Sequence, residues 1–117
     1  MRRRVVLMGY VLLLLGGTHW PGEIRGLQTD HMDKVVHFTA FAILGWLSAW
    51  VSQSVRRSPI ETAAVVLFAI ALFAALDEIT QPYVSRTCDP LDWLADLTGA
   101  IVGIAVFSLH SRRTSRP

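Results

Sequence analysis

Cysteine is nearly missing from this chain: Cys88 is the only one in 117 residues. That excludes an intramolecular disulfide and a cysteine-based metal cluster. Charge is scarce as well. Only 17% of the residues are charged, whereas 52% are hydrophobic. A soluble domain this short keeps most of its residues near water and needs a more polar surface than that. No basic stripe is interleaved with aromatic residues, so no nucleic-acid partner is expected. There is no internal repeat, no low-complexity segment, no long linker and no serine or cysteine nucleophile motif. Residues 1–117 read as one domain, with a frayed Ser/Arg-rich end from Ser111 to Pro117.

What the chain does have is four apolar blocks separated by charges and turn formers. The first follows Arg2-Arg3-Arg4, runs from Val5 to about Trp20, and is closed by Gly16, Gly17 and Pro21. As a helix it covers about 24 Å, slightly short of the ~30 Å hydrocarbon core. Interfacial Trp20 or local thinning makes up the difference. Arginines ahead of an apolar run also fit a signal peptide. The only small-residue cleavage candidate is Gly16-Gly17-Thr18, so an uncleaved helix is expected. The second block runs from about Asp33 to Val51, with Asp30 placed as its cap. The third runs from Pro59 to about Gln81, where Pro82 stops it. Its start, Ser58-Pro59-Ile60-Glu61, has the form of a capping box with proline first. The fourth, from Pro90 to about His110, repeats the arrangement with Asp89-Pro90-Leu91-Asp92.

The third block decides the solvent. From Ala63 to Leu76 it carries no polar side chain on any face, whereas a surface helix shows a polar stripe. The expected fold is therefore all-α: a polytopic four-transmembrane-helix bundle with spans over roughly 5–20, 33–51, 60–79 and 92–109. Basic residues near span ends mark the cytoplasm. With the N-terminus inside, Arg2, Arg3, Arg4, Arg56, Arg57, Arg112, Arg113 and Arg116 fall inside; Arg25, Lys34 and Arg86 fall outside. An even number of spans, with both termini cytoplasmic, preserves this asymmetry.

The acids divide the other way. Glu61 lies at an inner end. Glu23, Asp30, Asp33, Asp77, Glu78, Asp89, Asp92 and Asp96 lie at or near the outer face. Asp33 and His37 are four apart on one helical face, with Lys34 adjoining; Asp77 and Gln81 are four apart, with Glu78 beside them; Asp92 and Asp96 are four apart. Asp33 and Asp92 also suit helix starts, Arg86 a loop and His37 an interface. Asp77 and Glu78 fit less simply, because acids near a helix C-terminus oppose the dipole. Asp96 sits more than a turn inside its span, where a carboxylate is costly and usually has a partner. Lys34, His37 and Arg86 are the candidates. Gly99 and Gly103 form a G-x-x-x-G pattern on the stripe that carries Asp92 and Asp96, so the packing face is also the acidic face.

Asp33-Lys34-Val35-Val36-His37-Phe38-Thr39-Ala40-Phe41 resembles the D-K-x-x-H-F-x-x-F segment of VanZ-like proteins. Asp77-Glu78-Ile79-Thr80-Gln81 resembles their D-E-x-x-Q segment. Arg86, followed by Asp92-Trp93-Leu94-Ala95-Asp96-Leu97-Thr98-Gly99, resembles their R…D-x-x-A-N-x-x-G ending. Order and spacing match from the second block to the fourth. Asp96 departs from the family's usual asparagine: a carboxylate there either binds a cation or proton that an amide does not, or stands protonated as a near-isostere of the amide. The resemblance implies a small polytopic protein of the bacterial cytoplasmic membrane. The family's named member is associated with low-level resistance to the glycopeptide teicoplanin.

Three functional expectations follow. In the first, Asp33, Lys34, His37, Asp77, Glu78, Gln81, Arg86, Asp92 and Asp96 bind a cell-envelope ligand such as an amphiphile, a lipid head group or a lipid-linked precursor. In the second, the chain is an intramembrane hydrolase or transferase. His37 or Glu78 would be general base, Asp77 or Asp33 would orient the histidine, and Arg86 would hold an anionic oxygen. In the third, the polar residues only lock helices together. His37 with Asp33 and Asp77 also suggests a divalent metal, but a single histidine is a thin signal, and no cofactor is expected. Four short helices leave little room for a proton-coupled transport pathway. The sequence leaves homo-oligomerisation open.

Overall fold

A computed structural model describes residues 1–20, 30–53 and 58–114. Four helices follow one another: α1 (Arg2–Thr18), α2 (Asp30–Ser52), α3 (Pro59–Thr80) and α4 (Pro90–Thr114). A short 3₁₀ turn, Gln81–Val84, extends α3. Three helical stretches, His31–Ser52, Pro59–Val84 and Pro90–Arg113, are long and apolar enough to cross a membrane. With 17 residues, α1 is shorter, covering about 26 Å. It starts at Arg2 and ends at Thr18, rather than running from Val5 to Trp20. Asp30 opens α2 as its first helical residue instead of standing ahead of it. The expected charges Glu23, Arg25, Arg56, Arg57 and Arg116 lie outside the described residues.

Local chemistry sets two of the helix starts. At α3, the Ser58 hydroxyl accepts from the Glu61 amide at 3.2 Å, and the Glu61 carboxylate accepts from the Ser58 amide at 3.2 Å. Proline at the first position removes a donor that has no partner there. At α4, the Asp89 carboxylate accepts from the Leu91 amide at 2.9 Å, again with proline next. Ser58→Ala is expected to cost about 1 kcal/mol, read as an earlier transition in denaturant unfolding of the detergent-solubilised protein. Pro82 does not end the third block abruptly. The chain tightens into the 3₁₀ turn and reverses at Ser85, whose φ of 63° is left-handed.

The tightest helix pair is α2 with α4. A Cβ on Gly99 would strike the Phe38 carbonyl, and one on Gly103 would strike the Ala42 carbonyl. On the facing helix, Gly45 meets the backbone of Ala100. The two backbones touch because these positions carry almost no side chain. Around this seam lie Phe41, Leu44, Ala74, Ala100, Ile104 and Phe107, all buried. Phe41 stacks at a tilt on Phe73, and Trp46 meets Phe107 edge-on at 5.6 Å. The Trp93 indole donates to the Ala71 carbonyl at 3.3 Å, tying α4 to α3.

The outer surface is apolar. Leu12, Leu13, Phe68, Leu72, Leu76, Val106 and Leu109 are all exposed. In the most apolar stretch of α3 only 17% is buried inside the bundle. Large side chains exposed in this way are what lipid, rather than water, solvates.

The helices alternate in direction. At one end Arg3 donates to the Trp50 carbonyl and to Gln53, both at 3.3 Å, and its guanidinium lies 5.0 Å from the Trp50 ring centre. Gln53 in turn donates to Ser111 at 2.9 Å. A cavity of about 210 Å³ opens there between α2, α3 and α4, with Ser52, Thr62, Ser108 and Arg112 on its wall. The acids and histidines of the sequence motifs gather at the other end.

Candidate functional site

At that end the structure builds a buried floor beneath a charged rim. The floor is His37, Asp77, Glu78, Gln81, Asp92 and Asp96, each no more than 4% exposed. The rim is Asp33, Lys34, Arg86 and Asp89, whose side chains are between 19% and 37% exposed. Every charged residue that the sequence nominated for the site is in one or the other, and Gln81 is in the floor.

The contacts show why each is there. His37 sits about two turns into α2 and hydrogen-bonds through Nδ1 to Asp96 Oδ1 of α4 at 2.9 Å. Its Nδ1 also stands 3.9 Å from Glu78 Oε1 of α3. Glu78 is held from two sides: Gln81 donates to Oε1 at 3.1 Å, and the Asp89 amide donates to Oε2 at 3.1 Å. Lys34 bridges Asp89 at 2.8 Å and Asp92 at 3.1 Å. Arg86 pairs with Asp33 at 3.7 Å. The loop and the starts of α2 and α4 are thereby closed over the floor.

Two sequence expectations need correction. Neither Asp33 nor Asp77 orients His37; Asp96 does. Asp33 turns to Arg86. Asp77 faces α1, where the Thr18 hydroxyl donates to its Oδ1 at 2.8 Å and His19 Nδ1 lies 3.4 Å away. The metal grouping of His37 with Asp33 and Asp77 therefore does not form. His37 instead belongs to two groupings, one with Glu78 and Asp96 and one with Asp33 and Asp92.

Thr18 and His19 were not singled out from the sequence. They lie at the end of the first apolar block, where Pro21 breaks the helical spacing between His19 and the nearest acid, Glu23. The only available signal was depth: helices of alternating direction place residue 19 level with residue 80. Indeed His19 Nε2 shares a 2.8 Å hydrogen bond with the Thr80 hydroxyl. The sequence pattern marks Asp89 as a cap at the outer face; its second role, as an acceptor for Lys34, depends on tertiary packing. Cys88 is exposed and belongs to neither floor nor rim.

Asp89 lies outside the membrane-crossing stretches. The Lys34 ammonium, and next the Leu91 amide, hold its carboxyl below the ordinary carboxylate range. Both contacts favour the ionised form. The clasp is therefore complete above the unfolded carboxyl value of ~3.9 and is lost as pH falls through the lower folded value. A carbon-13 titration of the Asp89 carboxyl should give a midpoint below that of a reference peptide; an equal midpoint counts against the clasp.

The order D-K-x-x-H, D-E-x-x-Q, R and D-x-x-A-D thus corresponds to one three-dimensional site. The model of the VanZ/LLP1 family matches residues 5–111. The chain belongs to that family. It is a VanZ-like membrane protein, and the match reaches from within α1 to within α4. No curated protein and no solved structure matches it.

Proposed function

We propose that this VanZ-like protein crosses the bacterial cytoplasmic membrane four times with both termini inside, and that its outer rim binds an amphiphilic envelope ligand. The observation that carries the binding reading is the charged rim, partly open to water, over a buried polar floor. A purely structural clasp does not require Arg86 and Asp33 to stay partly open to water. Lys34 and Arg86 suit a phosphate or carboxylate, while Asp33 and Asp89 suit hydroxyl or amine groups. The exposed apolar helix faces accommodate a tail in the adjoining lipid. Lipid-linked cell-wall precursors and glycopeptides of the teicoplanin type combine these features.

The topology has support from charge. Arg2, Arg3, Arg4, Arg112 and Arg113 sit at the end opposite the acids of the floor and rim, as cytoplasmic residues do. In this reading α1 spans by virtue of local thinning and interfacial Trp20. Cys88 gives a direct check. It should react with a membrane-impermeant maleimide in intact spheroplasts, whereas Ser111→Cys in a Cys88→Ser background should react only after lysis. Reaction of both from the same side sinks the four-span arrangement.

Binding is tested on purified protein with lipid-linked precursor and with teicoplanin. Arg86→Ala, which leaves the floor intact, should weaken binding about tenfold without altering helix content. Folded wild-type protein that binds neither ligand removes the proposal.

The 2.9 Å contact between His37 and Asp96 favours a second reading, an intramembrane hydrolase or transferase. A carboxylate on Nδ1 fixes the ring tautomer and leaves Nε2 as a base. In that case cells carrying the protein accumulate a modified envelope lipid, and His37→Ala and Glu78→Gln abolish it equally. An unchanged lipid profile argues for binding alone.

A further inference from the structure

The geometry points to a divalent cation site formed by His37 Nδ1, a Glu78 carboxylate oxygen and the Asp96 carboxylate. Three observations converge on it. The first is spacing. One ligand atom from each of the three residues lies within 4.8 Å of the others. His37 Nδ1 is 2.9 Å from Asp96 Oδ1 and 3.9 Å from Glu78 Oε1. Ligands about 2.1 Å from an ion at a tetrahedral angle stand roughly 3.4 Å apart, a value these two distances bracket.

The second is an atom without a partner. Asp96 is 0% exposed, and its Oδ2 has no hydrogen-bond partner among the described residues. A buried carboxylate oxygen ordinarily finds a donor. This one belongs to the same carboxylate that meets His37, so the unfilled acceptor is within reach of the triad.

The third is charge. Asp33, Asp77, Glu78, Asp89, Asp92 and Asp96 gather here against Lys34, Arg86, His19 and His37. Even with both histidines protonated, acids outnumber bases by two among these residues. Lys34 is taken up by Asp89 and Asp92 and Arg86 by Asp33, so among the described residues His37 is the cationic partner that reaches Glu78 and Asp96. A divalent ion supplies that charge while displacing the proton from Nδ1 to solvent.

The donor set, one imidazole and two carboxylates, suits Zn²⁺ or Mn²⁺ better than a thiol-seeking metal. A route from water is also present. His37 is shared with a second grouping, Asp33 and Asp92, and Asp33 is part of the exposed rim. The ion would pass from Asp33 in the rim, past Asp92, to the buried triad through one histidine. The inference deepens the rim-site reading and relies on it for that opening.

The test uses tag-free, full-length protein in detergent, first stripped with a chelator and given no amphiphile. Isothermal titration with Zn²⁺, and separately Mn²⁺, should show one ion per chain. Asp96→Asn keeps the acceptor for His37 but loses the negative charge, and should weaken binding at least tenfold; His37→Gln should do the same. His31→Gln, at an exposed position, should leave it unchanged. Should the variants fold poorly, pulsed paramagnetic resonance of Mn²⁺-loaded wild type decides, because it should show coupling to one imidazole nitrogen. Failure to bind either ion, equal binding by the folded variants, or no nitrogen coupling overturns the inference. Precursor binding is then measured with and without the ion. Ion binding without precursor binding retires the rim reading alone, and precursor binding to protein that takes no ion retires the cation site alone.

Discussion

Gly103→Val is expected to separate α2 from α4 and to leave little folded protein. The new Cβ alone strikes the Ala42 carbonyl, with the Trp46 amide close by. Both are backbone atoms of a long helix and cannot rotate aside. Overpacking usually costs 1–3 kcal/mol, and a fixed backbone obstacle places this case at about 3 kcal/mol or above. The same substitution at Gly9, where an added Cβ meets nothing within 4 Å, should change stability by less than about 0.5 kcal/mol. Denaturant unfolding in detergent of the two variants side by side is the measurement. Similar losses from both would show that glycine matters here for insertion rather than for contact between helices.

The comparison of these two glycines shows what the sequence made legible. The G-x-x-x-G spacing, on the stripe with Asp92 and Asp96, identified the face of α4 that packs. It did not identify α2 as the helix on the other side, because spacing within one helix carries no information about its partner. The same division holds at the site. The Ser58–Glu61 capping box and the Asp89 cap act across two or three residues, so a local pattern suffices. The i,i+4 pairs grouped the right residues by depth. Which carboxylate meets His37 depends on how α2 and α4 are rotated against each other, and Gly99 and Gly103 set that rotation. Hence Asp96, rather than Asp33 one turn away, is the partner. The 17-residue α1 was legible as a helix, but its attachment through Thr18 and His19 to Asp77 was not, since no charge in the first block advertised it.

The second large effect is expected at Lys34. Lys34→Met removes the cation shared by Asp89 and Asp92. Asp89 is partly exposed and loses little, because water takes over. Asp92 is 6% exposed in its side chain and is left as a buried anion. Breaking a fully buried pair in this way costs 3–5 kcal/mol; Lys34 is itself 28% exposed, so a loss of about 2 kcal/mol is expected. The cause is separable from lost packing. Adding Asp92→Asn to Lys34→Met removes the stranded charge and should restore more than half of the stability. Asp92→Asn in an otherwise intact chain should cost less than Lys34→Met. If the double variant is no better than Lys34→Met alone, the stranded-anion account fails, and the lysine stem rather than its charge is what matters.

That the most intimate pairing joins α2 to α4 has a temporal consequence. The two are separated in the chain by all of α3, and His37 reaches Asp96 across 59 positions. During synthesis α2 must enter the bilayer and wait with an unsatisfied imidazole and a bare glycine seam until the last helix emerges. Assembly is thus an all-at-the-end event, and a chain interrupted before residue 90 presents the cell with a polar stripe facing lipid, the kind of surface by which quality-control proteases recognise unfinished membrane proteins.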